Sequence, residues 1–172
     1  MCQSGLSPRF SNCGAGLLLG ALAFNAGAQQ VLSGIPKPGA KDLCPVCGML
    51  VSNYPNWTAT VLYADGHAHH FDGAKELFKY LQEMPKFAPG HRVEDMRSIA
   101  VTDFYSRGKI DAKKAFYVIG SDVLGPMGHE LVPLATRADG DDFMKDHKGR
   151  RVLSFDQVTK EIAEKLDRSK FD

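Results

Sequence analysis

Apolar residues recur along this chain with two different periods. Trp57, Ala59, Val61 and Tyr63 alternate with Thr58 and Thr60. Period-two alternation of this kind predicts a half-buried strand over 57–63. Asp65-Gly66 is a hairpin turn signal, and His67–Phe71 is the expected return strand. The period then lengthens: Leu77, Phe78, Leu81 and Met84 fall on one helical face, with Asp72 as the expected cap and Pro85 as the stop. A Pro-Gly-containing connector over 86–97 follows. Strands are predicted at Ile99–Thr102 and Ala115–Ile119, with 105–112 separating them, and at Leu131–Thr136, where Pro133 implies a sheet edge. Residues 137–150 read as a charged excursion. Arg151–Phe155 is the last strand, and Asp156 precedes a helix carrying Val158, Ile162, Ala163 and Leu166 inward.

The two ends of this map echo each other. Gly48-Met49, a strand, Ala64-Asp65-Gly66, a strand ending Phe71-Asp72 and an amphipathic helix form the first series. Met127-Gly128, a strand, Ala138-Asp139-Gly140, a strand ending Phe155-Asp156 and a second such helix form the other. The expected fold class is therefore α+β: two similar ββα-type halves arising from an internal duplication, each with antiparallel strands and one helix. The first half spans 42–97 and carries the cysteine loop; the second spans 98–172 and carries the Met127 loop. Neither half is large enough to bury a core alone, so the two are expected to pack together.

The N-terminus breaks this pattern. Arg9, the apolar run 14–24 and Ala26-Gly27-Ala28 have the layout of an export signal cleaved after Ala28. The run is short for a membrane span. Residues 29–41 read as a polar linker. The remainder of the 172-residue chain carries 20 basic and 20 acidic residues, because Arg9 is the one charge before position 29. A neutral chain is not built for nucleic acid or an anionic bilayer. Export removes Cys2 and Cys13, leaving Cys44 and Cys47. Cys13 precedes the apolar run rather than following it, so the mature protein is expected to be soluble in the periplasm, without an integral span. One CxxC pair is also too few for a disulfide-framework scaffold.

Chemistry concentrates in two turns. Cys44-Pro-Val-Cys-Gly-Met49 holds three sulfurs, and Pro126-Met-Gly-His129 holds a glycine-framed methionine beside an imidazole. Cysteines at i and i+3 can chelate one ion. Copper, zinc, and a redox or structural disulfide are all open to such a pair. Thioether sulfur favours Cu(I), so Met49 and Met127 point to Cu(I), with His129 as the nearest further donor. An under-coordinated Cu(I) site of this kind suits transfer, since an incoming ligand can join before a donor leaves. His67 and His69 share a strand face while His70 points away; a metal pair there is weighed against a solvated face, and the solvated face is preferred. Asp72 and Asp156 are read as caps. No phosphate loop, nucleophile elbow or acid/base pair is present.

These motifs, with the Phe71-Asp72 step, Val101-Thr-Asp-Phe104, Ile110-Asp-Ala112, Ala115-Phe-Tyr-Val118 and Glu130-Leu131, resemble the NosL family of nitrous oxide reductase accessory proteins over about 42–166. The resemblance implies a non-enzymatic periplasmic Cu(I) chaperone. Its partners would be nitrous oxide reductase and a membrane ABC-type assembly complex. Cys44, Cys47, Met49 and Met127 carry over as metal-related positions, and His129 rests on proximity. Members are usually lipoproteins, and this chain lacks a cysteine at the cleavage site. The competing expectation is a periplasmic thiol oxidoreductase, or a lyase acting on a thiophilic metal compound.

Overall fold

A computed structural model describes residues 31–171; the expected signal segment lies outside them. The first sheet is antiparallel, ordered β2-β1-β3-β4, from β1 (Ala59–Tyr63), β2 (Ala68–Phe71), β3 (Met96–Thr102) and β4 (Lys109–Asp111). Leu62 pairs with Ala68 and Ala59 with Phe71 across the expected hairpin. The second sheet is ordered β8-β5-β9. Its strands are β5 (Phe116–Ile119), β8 (Val132–Leu134) and β9 (Arg151–Ser154), and Pro133 lies on an edge strand as its missing N–H requires. Between β5 and β8 a short ribbon, β6 (Leu124–Gly125) and β7 (Gly128–His129), presents Pro126-Met127 at its tip.

One core runs through both sheets. Val61, Tyr63, Phe71, Leu77, Phe78 and Tyr80 from the first part pack in a single buried cluster with Tyr117, Ile119, Leu131 and Leu153 from the second. Helix α1 (Ala74–Gln82) supplies Leu77, Phe78 and Tyr80, and α4 (Lys160–Asp167) packs beside it, with Gln82 donating to the Val158 carbonyl at 2.8 Å. The other face of β1 is polar yet buried. Its Thr60 hydroxyl meets His70 Nδ1 at 3.0 Å, and Thr102 donates to the Thr58 carbonyl at 2.7 Å. Asp103 joins the sheets: its carboxylate accepts from Ala135 N and from the Ser106 amide and hydroxyl.

The α+β class is as expected; several of the expected details are not. The sheets divide near 112–115, because β3 and β4 extend the first sheet past position 97. Ala138-Asp139-Gly140 is not a hairpin turn. It lies within α3 (Arg137–Asp146), started by a Thr136/Asp139 capping box, so the "charged excursion" is a helix and the two halves do not share an element order. Pro85 does not end the helical stretch; it occupies the first turn of a short α2 (Met84–Phe87), where its missing N–H costs nothing. Asp156 sits in a 3-10 turn, and Thr159 caps α4 by accepting from Ile162 N. Asp72 does not cap α1 either: Gly73 holds the N-cap position without a side-chain bond.

Candidate metal centre

The cysteine turn is built from its backbone outward. Gly48 N donates to the Cys44 carbonyl at 2.8 Å, and Cys44 N donates to the Met49 carbonyl at 2.8 Å. Gly48 takes φ +75°, the left-handed region that closes so tight a turn at little cost only for glycine. Val51, fully buried, anchors the turn's exit, its N–H donating to the Asp42 carbonyl. Cys44 is buried within the core, whereas Cys47 and Met49 are half-buried.

The structure makes Asp72, expected from the sequence to be a helix cap, a partner of the thiols. The Cys47 thiol donates to Asp72 Oδ1 at 3.1 Å, and Asp72 Oδ2 is buried without a hydrogen-bond partner. The donor atoms of Cys44, Cys47 and Asp72 lie within 4.8 Å of one another. Burial pushes both thiols above the ordinary thiol range, and the Asp72 carboxylate adds to the rise, while backbone N–H groups of the turn oppose it. The thiols are therefore protonated near neutral pH, and any ion that binds them must displace protons.

The Met127 ribbon is fastened to the same end of α1. Lys75 Nζ, fully buried, donates to the Met127 and His129 carbonyls, each at 3.0 Å, and pairs with Asp167 at 3.0 Å. Lys75 N donates to Glu130 Oε1 at 2.7 Å, and Leu131 N donates to the same oxygen. A Cβ on Gly73 would collide with Glu130 Oε2, so the absence of a side chain there lets the ribbon close on the helix start. Burial, with Glu76 nearby, pushes the Glu130 carboxyl up to about 8. Thus Cys47, through Asp72, and Met127, through Lys75, are tied to one β2–α1 junction. Met127 is 42% exposed at the ribbon tip. His129 stays out of the thiol–carboxylate group: its ring packs on Phe171, with centroids 4.7 Å apart, and its Nδ1 is buried without a partner.

The histidine pair also differs from expectation. His70 does point to the opposite face, but His91 joins His67 and His69, and the three offer nitrogens within 4.8 Å of one another. His69 is pulled down to about 4, first by burial and then by His67 and His91. Asp72, Lys75, Glu130 and His91 are the residues that sequence reasoning passed over. In the sequence Phe71-Asp72 and Glu130-Leu131 are only parts of a pattern, and His91 stands alone in a connector.

A thiol pair beside a buried carboxylate, with an exposed methionine on an adjoining ribbon, is a donor set of the kind that suits a soft metal ion, carried on an α+β scaffold. A family model, NosL, matches residues 37–163. The chain belongs to the NosL family. It is 29% identical over 153 residues to the copper-binding lipoprotein NosL of Stutzerimonas stutzeri, covering 84% of this chain and 80% of that protein. The crystal structure of the copper chaperone NosL from Shewanella denitrificans shares the fold, with a TM-score of 0.60 at 21% identity over 73% of this chain and 96% of the other.

Proposed function

We propose that this protein is a Cu(I) chaperone that carries its ion between Cys44, Cys47, Met49 and Met127 and delivers it to nitrous oxide reductase in the periplasm, together with a membrane ABC-type complex. The observation that carries this reading is the cluster of two thiols on the orphaned Asp72 carboxylate, fastened to the same helix start as the Met127 ribbon. Cu(I) is the cargo. Thiolates and thioethers match its soft-donor preference, and a site that engages two or three of these four sulfurs at a time leaves coordination space for a recipient's ligand. Asp72 accepts the Cys47 thiol's hydrogen bond and so holds that side chain in place beside Cys44. Leu43 and Leu124, exposed beside the two loops, supply an apolar rim for a recipient.

The alternative of a thiol oxidoreductase fits the site poorly. Reactive thiols are acidic ones, and here burial and Asp72 both push the thiols the other way. The test is competition for Cu(I) between the reduced protein and a strong chelator under anaerobic conditions, followed by transfer to metal-free nitrous oxide reductase. The account expects one Cu(I) per chain, lost in the Cys47→Ser/Met127→Leu double variant. Unchanged affinity in that variant would remove the site assignment, and failure of transfer with binding intact would remove the recipient.

A further inference from the structure

The face of the first sheet that carries Tyr63 gathers three imidazoles from two separate segments. His67 and His69 are spaced two apart, before and on β2, and so project from one face of the strand. His91 arrives from the turn after α2, where Gly90 takes φ +92° and His91 N donates to the Ala88 carbonyl. The ring centroids lie 4.7 Å (67–69), 5.6 Å (69–91) and 5.7 Å (67–91) apart. Among the described residues no hydrogen bond holds the His67 or His91 ring nitrogens; both rings lie against Tyr63. A hydrophobic or stacking role does not need three neighbouring rings with convergent nitrogens.

The surroundings have the features of a ligand set. His69 Nδ1 is 2.6 Å from the Tyr80 hydroxyl, which in turn bonds Tyr63; in the tautomer whose Nδ1–H donates to that hydroxyl, Nε2 carries the lone pair. A bond of this kind fixes the orientation of a metal-ligating imidazole. His91 also lines a cleft of about 360 Å³ together with Asp65 and Asp95, which lend it negative charge and an open approach.

We propose that His67, His69 and His91 form a second metal site, distinct from the sulfur loops, for a divalent borderline ion. Three imidazoles with a remaining position for water or a carboxylate suit Zn(II) and Cu(II), and the affinity order of first-row ions puts Cu(II) ahead. No residue is shared with the thiol site, so this proposal stands whether or not the sulfur loops carry Cu(I). Tyr80 is a positioning residue acting through His69.

The experiment uses the Cys44→Ser/Cys47→Ser chain, with its fold checked by circular dichroism, so that thiols neither bind nor reduce the probe. Cu(II) is titrated and followed by electron paramagnetic resonance. The site predicts one equivalent of Cu(II) with nitrogen superhyperfine structure. Adding His67→Ala/His91→Ala abolishes that spectrum, whereas His147→Ala leaves it intact. Tyr80→Phe keeps the spectrum and weakens binding by about tenfold or more. Zn(II) added to the thiol-intact chain should shift the His67, His69 and His91 resonances in a ¹H–¹⁵N spectrum. A Cu(II) signal that survives the double alanine variant, or Zn(II) shifts confined to the cysteine loop, would overturn the site.

Discussion

The carboxylate of Asp72 has one oxygen on the Cys47 thiol and the other buried without a partner. Its charge raises the cost of forming a thiolate in the metal-free protein. Asp72→Asn removes the charge and much of the acceptor strength, so Cys47 should become more acidic. Alkylation of the reduced protein should then reach its half-maximal rate at lower pH than in the wild type; an unshifted profile would show that the contact does not govern the thiol. Glu130 is the second such residue. Its carboxyl is raised by burial to about 8 from an ordinary 4.5, so the folded protein holds a proton that the unfolded chain has already lost. That contribution to stability is complete below about pH 4.5 and is lost as pH rises toward 8. Glu130→Gln keeps an acceptor for Lys75 N and Leu131 N and cannot ionise. Its urea-unfolding stability should fall less between pH 5 and 8 than the wild type's.

At the scale of elements, the start of α1 organises the site. Lys75 pins the ribbon tip through two carbonyls, and replacing it with methionine leaves those part-buried acceptors without their donor. Lys75→Met should cost about 1–3 kcal/mol in chemical denaturation. It should also weaken Cu(I) binding by loosening the Met127 loop; full affinity at reduced stability would separate the ribbon from the site. The strands around this junction were legible because alternation in 57–63 and the Asp65-Gly66 turn act locally. Helix α3 was not, since it buries only Gly140 and Phe143 and its apolar stripe is too thin to register. Its one local signal was the Thr136/Asp139 capping box. Asp72 was misread because an acidic residue before a helix is ordinarily a cap, and only the fold brings a thiol from 25 residues away to its oxygen. His91 is invisible to periodicity for the same reason: its partners are set by tertiary packing.

For the whole molecule, one core spans both sheets, so the sulfur turn and the Met127 ribbon sit on a single body rather than on two hinged halves. A metal ion bound across both loops, as proposed, would stabilise that packing, because the unfolded chain holds the same sulfurs far apart. Thermal unfolding of the reduced protein should shift upward with one equivalent of Cu(I). The shift should grow with pH, as binding releases thiol protons; a shift that does not depend on pH would mean that the thiols are not ligands. Among the described residues no helix is long and apolar enough to cross a membrane. Leu43, Leu124 and Met127 are exposed on the two loops, as the proposed hand-over to a recipient requires.

The central claim is that sulfur from two distant turns surrounds one copper ion. Copper K-edge X-ray absorption on the anaerobic one-to-one Cu(I) protein tests it most directly, with wild type and Met127→Leu compared. The account predicts a sulfur-dominated first shell that loses one sulfur scatterer in Met127→Leu. Superimposable spectra for the two proteins would contradict it.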